Sequence, residues 1–327
     1  MGWFRAMRTR VALAGVLCAA LLPVTTAQAE TAGKDYKIWQ WNVSGSVLNT
    51  GASDTGMVEG AVNSIVSRGA DFAAFNELCK DQWTAIVAQL KAKGWPKDPN
   101  NFGRFEPSLA VNQGACGGDE FGNAIFSKEA LLGADRIALP DDGAKEKRNM
   151  LCARLVEDEG TRFCATHLTV ASDAAKWGQL EFIRRKIDTW TKAGETVMIA
   201  GDFNVQPHYP VLDTFYAPSV ATDANPGNQG LLRELDDTDA DCPGYGEWTG
   251  DTATTNLPVT TTGCTDLKTL KKPKLDMIFV PESVIDYSVP YSADSLDIST
   301  SCKVTTASPD GRCSDHRILV GTVTVKQ

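Results

Sequence analysis

Histidine is scarce here, with three among 327 residues, so any imidazole chemistry rests on His167, His208 or His316. The nine cysteines include no CxxC pair, which leaves a structural zinc site without its usual ligand spacing. A basic excess is missing too: 32 Lys and Arg stand against 41 Asp and Glu, a formal charge of −9. Such a chain has no general attraction to nucleic acid or anionic membrane, although a local basic patch or a bound divalent cation can still draw a phosphate. Repeats, linkers and low-complexity tracts are absent, as are a nucleotide-binding Gly-rich loop and a Ser/His/Asp hydrolase pattern. The apolar run over residues 11–24 is too short to cross roughly 30 Å of hydrocarbon.

That run has another reading. Arg5, Arg8 and Arg10 precede it and Ala27-Gln28-Ala29 follows it, the pattern of a secretory signal peptide over residues 1–29. Cleavage after Ala29 predicts a secreted, extracellular chain of 298 residues (327 − 29) with a charge of −12 (−9 − 3). Removing Cys18 from nine cysteines leaves eight, an even number that favours disulfides in an exported chain. Residues 151–155 and 162–167 read as strands around a turn at 156–161. Hairpin partners share a constant index sum, and Cys152 plus Cys164 centres on Asp158 in that turn, so the two face each other. Nearest-neighbour closure suggests Cys79–Cys116, Cys242–Cys264 and Cys302–Cys313 for the rest.

Strand patterns occupy 36–42, 71–77, 122–127, 196–201, 275–280 and 317–325, beside the hairpin pair. Helical spacing marks 56–68, 81–93 and 173–193, the last with Trp177, Leu180, Ile183, Ile187 and Trp190 in register after Ser172-Asp173 and Gly194 to end it. We expect one α/β domain over 30–327, with two packed mixed β-sheets and helices outside. Alternation places His167 on the face of Phe163 and Ala165, Glu77 with Ala73 and Phe75, Asp202 with Met198 and Ala200, and Asp276 with Ile278 and Val280. Asn42, Glu77, His167 and Asp202 end their strands, whereas Asp276 and His316 begin theirs. All six line one rim if the last two strands run antiparallel to the others.

Six polar clusters sit at the edges of apolar runs: Trp41-Asn42-Val43, Asn76-Glu77-Leu78, Thr166-His167-Leu168, Gly201-Asp202-Phe203-Asn204, Leu275-Asp276-Met277-Ile278 and Ser314-Asp315-His316. Phosphate ester cleavage needs such groups, because the nonbridging oxygens must be neutralised, a water positioned in line and the leaving oxygen stabilised. In order and identity the six resemble the endonuclease/exonuclease/phosphatase superfamily, which includes deoxyribonuclease I, neutral sphingomyelinases and inositol polyphosphate phosphatases. The resemblance implies a deoxyribonuclease I-like four-layer sandwich: two packed mixed sheets flanked by helices.

It also implies roles. Glu77, Asn42 and Asp315 would hold Mg2+, with Mn2+ or Ca2+ as substitutes. Asp202 would orient and deprotonate the attacking water, and Asn204 would donate to a phosphate oxygen. His316 would contact the phosphate as donor or general acid with Asp276 as its partner, and His167 would be the second phosphate-facing imidazole. Having both histidines places the chain with the deoxyribonuclease I-like and sphingomyelinase-like branch. Asn123 and Arg148 are candidate phosphate binders, as is Arg154, and Glu120 is a candidate partner for His167. His208 reads as a loop residue outside the site.

Substrate choice resides in the loops. Residues 205–274 carry Tyr245 and Trp248, either of which could stack on a base, and end in Lys268, Lys271, Lys272 and Lys274. The competing reading of that stretch is a disulfide-pinned surface loop with solvated lysines. The leading expectation is a secreted, monomeric nuclease acting on DNA or RNA. The alternatives are a phospholipid phosphodiesterase, a phosphomonoesterase on a sugar or inositol phosphate, and a catalytically silent binding protein of the same fold.

Overall fold

The computed structural model describes residues 1–3, 33–250 and 273–326. Its contacts separate Met1–Thr31 from Ala32–Gln327, and the fold below is that of the second unit. The apolar run and cleavage site of the expected leader, Cys264, Lys268, Lys271 and Lys272 lie outside the described residues.

In chain order the elements are β1 (Lys34–Asn42), α1 (Met57–Arg68), β2 (Phe72–Cys79), α2 (Lys80–Ala92), β3 (Gly103–Leu109), β4 (Phe121–Ser127), β5 (Leu131–Ala138), β6 (Asn149–Leu155) and β7 (Thr161–His167). After them come α3 (Asp173–Lys192), β8 (Thr196–Asp202), β9 (Leu232–Glu234), β10 (Asp276–Pro281), β11 (Ser292–Leu296) and β12 (Ile318–Val325). They form two six-stranded mixed sheets, ordered β11-β12-β1-β2-β4-β3 and β5-β6-β7-β8-β10-β9. Each sheet has one parallel pair, β1 with β2 and β7 with β8. A parallel pair needs a long crossover, and α1 and α3 supply it.

Three apolar clusters show the layering. Tyr36, Ile38, Phe72 and Ala74 of the first sheet meet Phe163, Ala165, Met198, Ala200 and Ile278 of the second. The opposite face of the first sheet, with Trp39, Trp41 and Phe75, packs on Val58, Ile65, Ile86 and Leu90 of α1 and α2. Leu180, Ile183 and Ile187 of α3 cover Cys152, Val197 and Ile199 on the outside of the second. Each fully buried Leu, Ile or Phe contributes about 1.5–3 kcal/mol, so these interlayer contacts dominate the energetics. The layers are helix, sheet, sheet, helix, the expected sandwich.

Helix α3 starts where Ser172 accepts a hydrogen bond from Ala175 N, which satisfies one of the free donors of the first turn. At the end of β8, a Cβ on Gly201 would lie 1.9 Å from the Thr166 carbonyl oxygen, so only glycine allows β7 and β8 to approach this closely. Cys152 and Cys164 face each other across β6 and β7 and are bridged, with Cα atoms 4.1 Å apart. Cys79–Cys116 and Cys302–Cys313 are also bridged, as nearest-neighbour closure suggested.

Candidate active site

On β1 the even positions Tyr36 and Ile38 face the other sheet, and Gln40 and Asn42 continue that face to the strand end. His167, Asp202 and Asp276 likewise extend the inter-sheet faces of β7, β8 and β10. Strand β10 runs antiparallel to β8, with Asp276 opposite Asp202, and β12 runs antiparallel to β1. Strand starts and strand ends therefore meet at one rim.

Glu77 departs from its expected face. Ala73 and Phe75 point at the helices, and strict alternation would send Glu77 there too. The pairing of β2 with β4 slips between Phe75 and Leu78, and Glu77 adopts φ +56°, a conformation uncommon outside glycine. This bulge re-aims the carboxylate: Asn42 Nδ2 donates to Glu77 Oε1 at 3.1 Å and to Asp202 Oδ2 at 3.0 Å.

Asp202 is the centre of the cluster. Its Oδ2 lies 3.6 Å from His167 Nε2 and 3.7 Å from His316 Nε2. Its Oδ1 accepts from Asn204 N at 2.8 Å, which fixes the carboxylate plane. His316 Nδ1 is 2.7 Å from Asp276 Oδ2, and Asp276 N donates to Thr249 Oγ1 at 2.8 Å. Ser314 Oγ donates to Asn42 O at 2.7 Å, tying the Ser314-Asp315-His316 segment to the end of β1.

Electrostatics separate the two imidazoles. Burial would lower His316, but the Asp276 and Asp202 carboxylates outweigh it and hold the ring cationic well above the usual histidine range. His167 is buried without such compensation, and the Arg148 and His316 charges add to the effect, so it is held neutral. Burial raises Asp202 to about 6, with Asp276 adding and His316 and Asn42 opposing. Glu77 is pushed up to about 7, first by burial and then by Asp315 and Asp202.

Acidic side chains that fit a divalent cation lie here. Glu77 is half-buried, has no Lys or Arg partner among the described residues, and shares its field with Asp315 and Asp202. A carboxylate set of this kind suits a hard cation. Asp202, Asp276 and His316 also place one ligand atom each within 4.8 Å of one another. Their geometry is that of proton handling, because a cationic imidazole already bonded to Asp276 is a poor metal ligand. Asn42, expected as an oxygen ligand, instead turns its N–H groups to the carboxylates and its oxygen to Ser44 N at 3.1 Å.

Several expected residues occupy other settings. The carboxylate beside His167 Nδ1 is Glu146 Oε1 at 3.8 Å. Glu120, expected there, instead gives its backbone carbonyl to Lys80 N and adds to the field at Glu106. Asn123 is buried in an amide chain, accepting from Asn76 and donating to Asn149 at 2.8 and 2.9 Å. Asn204 Nδ2 donates to the Leu168 carbonyl at 2.9 Å, which commits one of its two hydrogens. Arg148 bonds Glu146 Oε1 at 2.8 Å, and its buried Nε has no hydrogen-bond partner among the described residues. Arg154 pairs with Glu159 in the turn of the hairpin. Tyr245 is 1% exposed and cannot stack on a base, whereas Trp248 is half-buried with the Arg317 guanidinium 4.6 Å over its ring. Lys274 is fully buried between Asp236 and Glu234, at 2.6 and 3.4 Å, and is not a substrate-facing lysine.

Two residues carry weight that the pattern of the chain did not assign. Asn76 Oδ1 accepts from Asp202 N at 2.8 Å and its Nδ2 donates to Thr166 O at 2.9 Å, so one side chain bolts the two sheets together beneath the site. Its place on the face of Phe72 and Ala74 was readable by alternation. Glu146 lies in a charged segment between strands and gives no local signal.

The family model for the endonuclease/exonuclease/phosphatase family matches residues 39–316. The chain belongs to that family. Its members hydrolyse phosphoester bonds, and the rim described above spans both sheets of the family fold. Among curated proteins none matches this chain. Solved structures of similar fold include a humanized D. rerio TDP2, 17% identical with TM-score 0.56 over 88% of this chain and 98% of that one. The human nocturnin catalytic domain with bound sulfate is 17% identical, with TM-score 0.56 over 89% and 95% of the two chains. A family member from Beutenbergia cavernae is also 17% identical, with TM-score 0.56 over 89% of this chain and 72% of that chain.

Proposed function

We propose that this family member is a secreted, metal-dependent nuclease that hydrolyses phosphodiester bonds by in-line attack of water. The observation that carries this reading is Asp202 set between the imidazoles of His167 and His316, at 3.6 and 3.7 Å. A base flanked by a neutral and a cationic histidine matches the proton inventory of phosphodiester hydrolysis. Asp202 accepts a proton from the attacking water as its oxygen bonds to phosphorus. The phosphorus–oxygen bond to the leaving alkoxide then breaks, and His316 Nε2 supplies that alkoxide with a proton. Asp276 keeps His316 cationic and oriented for this transfer, and the proton on Asp202 returns to His316 across the gap between them. His167, being neutral, donates to a nonbridging oxygen, and the free Asn204 hydrogen does the same. Glu77 and Asp315 would hold a divalent cation, which would supply charge neutralisation for the phosphate; Mg2+ is the first choice, with Mn2+ or Ca2+ as substitutes.

Support for a nucleic-acid substrate comes from fold neighbours that include a D. rerio TDP2 complexed with single-strand DNA product, 18% identical with TM-score 0.56. Trp248 with Arg317 over its face, one residue from His316, offers a surface for a base and its phosphate. Three disulfides among the described residues and the pattern of residues 1–29 support export. The test incubates the purified chain and Mg2+ with plasmid DNA, RNA and sphingomyelin in parallel, with Asp202→Ala as control. Nucleic acid degradation that is lost in Asp202→Ala and in chelator is expected. Intact nucleic acid with choline phosphate released would move the chain to the lipid branch, and inactivity on all three would point to a small phosphate ester.

A further inference from the structure

Beneath the rim the two sheets meet through a buried set of amides. Asn76 Oδ1 accepts from Asp202 N at 2.8 Å and from Gln40 Nε2 at 3.0 Å. Its Nδ2 donates to Thr166 O at 2.9 Å and to Asn123 Oδ1 at 2.8 Å. Asn123 Nδ2 continues the chain to Asn149 Oδ1 at 2.9 Å, and Thr166 Oγ1 donates to Asn149 O at 3.1 Å. Asn76, Asn123, Asn149 and Thr166 thus close a ring of hydrogen bonds across the gap between the sheets. All four are buried, as is Gln40.

Asn76 uses its full capacity of two lone pairs and two hydrogens. Backbone groups settle the sense of its amide, since Asp202 N only donates and Thr166 O only accepts. An ionised carboxylate in its place would face the Thr166 and Asn123 oxygens with no hydrogen to offer. An apolar side chain would leave all four buried groups bare. Burial of residues such as Phe72 against Phe163 draws the sheets together without a preferred direction. Hydrogen bonds add what burial lacks, a fixed distance and angle.

The position of this ring bears on the chemistry above it. Glu77 follows Asn76 directly, and the bulge in β2 keeps both side chains on the side of the gap. His167 follows Thr166 on β7. One amide therefore joins the residue before Glu77 to the backbone of Asp202 and to the residue before His167.

We propose that Asn76 is a positioning residue that sets the separation of the two halves of the rim. Glu77 and Asn42 form the half on the first sheet, Asp202 and His167 the half on the second. This role presupposes Asp202 as the base that activates water. With the base on one sheet and the Glu77 carboxylate on the other, their spacing depends on how the sheets dock. A displacement of about 1 Å between reacting groups costs on the order of 10²-fold in rate.

Asn76→Leu, of similar shape, removes both bonds from this side chain to the second sheet. Gln40→Met is the control, because it removes a buried bond to the same Asn76 oxygen within the first sheet. With bis(p-nitrophenyl) phosphate and Mg2+, Asn76→Leu should lower kcat about 10²-fold and change KM by less than about twofold. Gln40→Met should stay within about threefold of wild type in both. Crystal structures of the two variants give a readout that needs no turnover. Asn42 Nδ2 now spans the halves, at 3.1 Å from Glu77 Oε1 and 3.0 Å from Asp202 Oδ2. In Asn76→Leu one of these contacts should open beyond about 3.5 Å, and in Gln40→Met both should remain. Should Asn76→Leu fail to fold, Asn76→Ser, too short to span the gap, replaces it in both measurements. Equal kcat losses in the Asn76 and Gln40 variants, or an intact Asn42 bridge without Asn76, would overturn the proposal. If the wild-type protein hydrolyses neither this diester nor nucleic acid, the phosphodiesterase reading fails, and the crystallographic comparison still decides the role of Asn76.

Discussion

Asp276 touches His316 Nδ1 with one oxygen at 2.7 Å and leaves the other buried without a hydrogen-bond partner among the described residues. Its negative charge is thus directed mainly at the imidazole, and this sets a pH dependence. Asp276 raises His316, so the cationic form persists to higher pH than in a free histidine. It also adds to the raising of Asp202, whose value is about 6. Asp276→Asn removes both effects: His316 loses its proton at lower pH, and Asp202 ionises at lower pH. The alkaline limb of the pH–rate profile should move toward acid, the acid limb should follow, and kcat should fall by about 10²–10⁴. An alkaline limb that stays in place would remove His316 from the general-acid role.

At the scale of elements, two substitutions probe what holds the rim. Gly201→Ala puts a methyl group 1.9 Å from the Thr166 carbonyl, where neither backbone can yield without parting β7 from β8. Overpacking of this kind costs about 1–3 kcal/mol or more, and a thermal melt should show a clear loss of stability; an unchanged midpoint would mean that the strands are not so close. Lys274→Met leaves Asp236 and Glu234 buried without their ammonium, a change worth about 3–5 kcal/mol. Urea unfolding should report it as a lower midpoint with an unchanged slope. The strand patterns in the chain matched β1, β2, β4, β6, β7, β8, β10 and β12, which are the interior strands of the two sheets. The four without a pattern, β3, β5, β9 and β11, are the four edges. An edge strand pairs on one side only and is solvated on the other, so its sequence needs neither length nor continuous apolarity. Strand β3 carries Pro107, β5 is largely exposed or half-exposed, and β9 spans three residues.

Over the whole molecule, the disulfides brace the faces that meet at the site. Cys79 ends β2 two residues after Glu77, and its bridge to Cys116 anchors that bulged strand to the approach to β4. Cys152–Cys164 locks the hairpin that ends at His167, closing a loop with sequence separation 12. Loops of this size gain about 3 kcal/mol from a cross-link. Reductant should lower the melting temperature by several degrees, and an unmoved transition would show that the bridges are dispensable. The rim itself belongs to neither sheet alone. Asn42 and Glu77 come from one, His167, Asp202 and Asp276 from the other, and Asn76 bonds across the gap between them.

Local sequence determined much of this. Apolar alternation fixed which residues of each interior strand share a face, the capping and spacing of 172–194 fixed α3, and the index sum of the hairpin fixed Cys152 opposite Cys164. Most of the polar clusters marked the rim because Asn42, His167, Asp202 and Asp276 continue the inter-sheet faces of their strands. Tertiary structure alone decided the rest. Glu77 reaches the site through a bulge that exists only where β2 pairs with β4, against the alternation of its own strand. His167 meets Glu146 and not Glu120 because antiparallel pairing of β6 with β7 sets the segment entering β6 beside the end of β7. Lys274 lies beneath the surface because the segment after β9 folds over it, reversing what a run of lysines suggests. Periodicity is a property of neighbouring residues and can be read along the chain. The partner of a charge, and whether water reaches it, depend on segments that come together only once the sheets have packed.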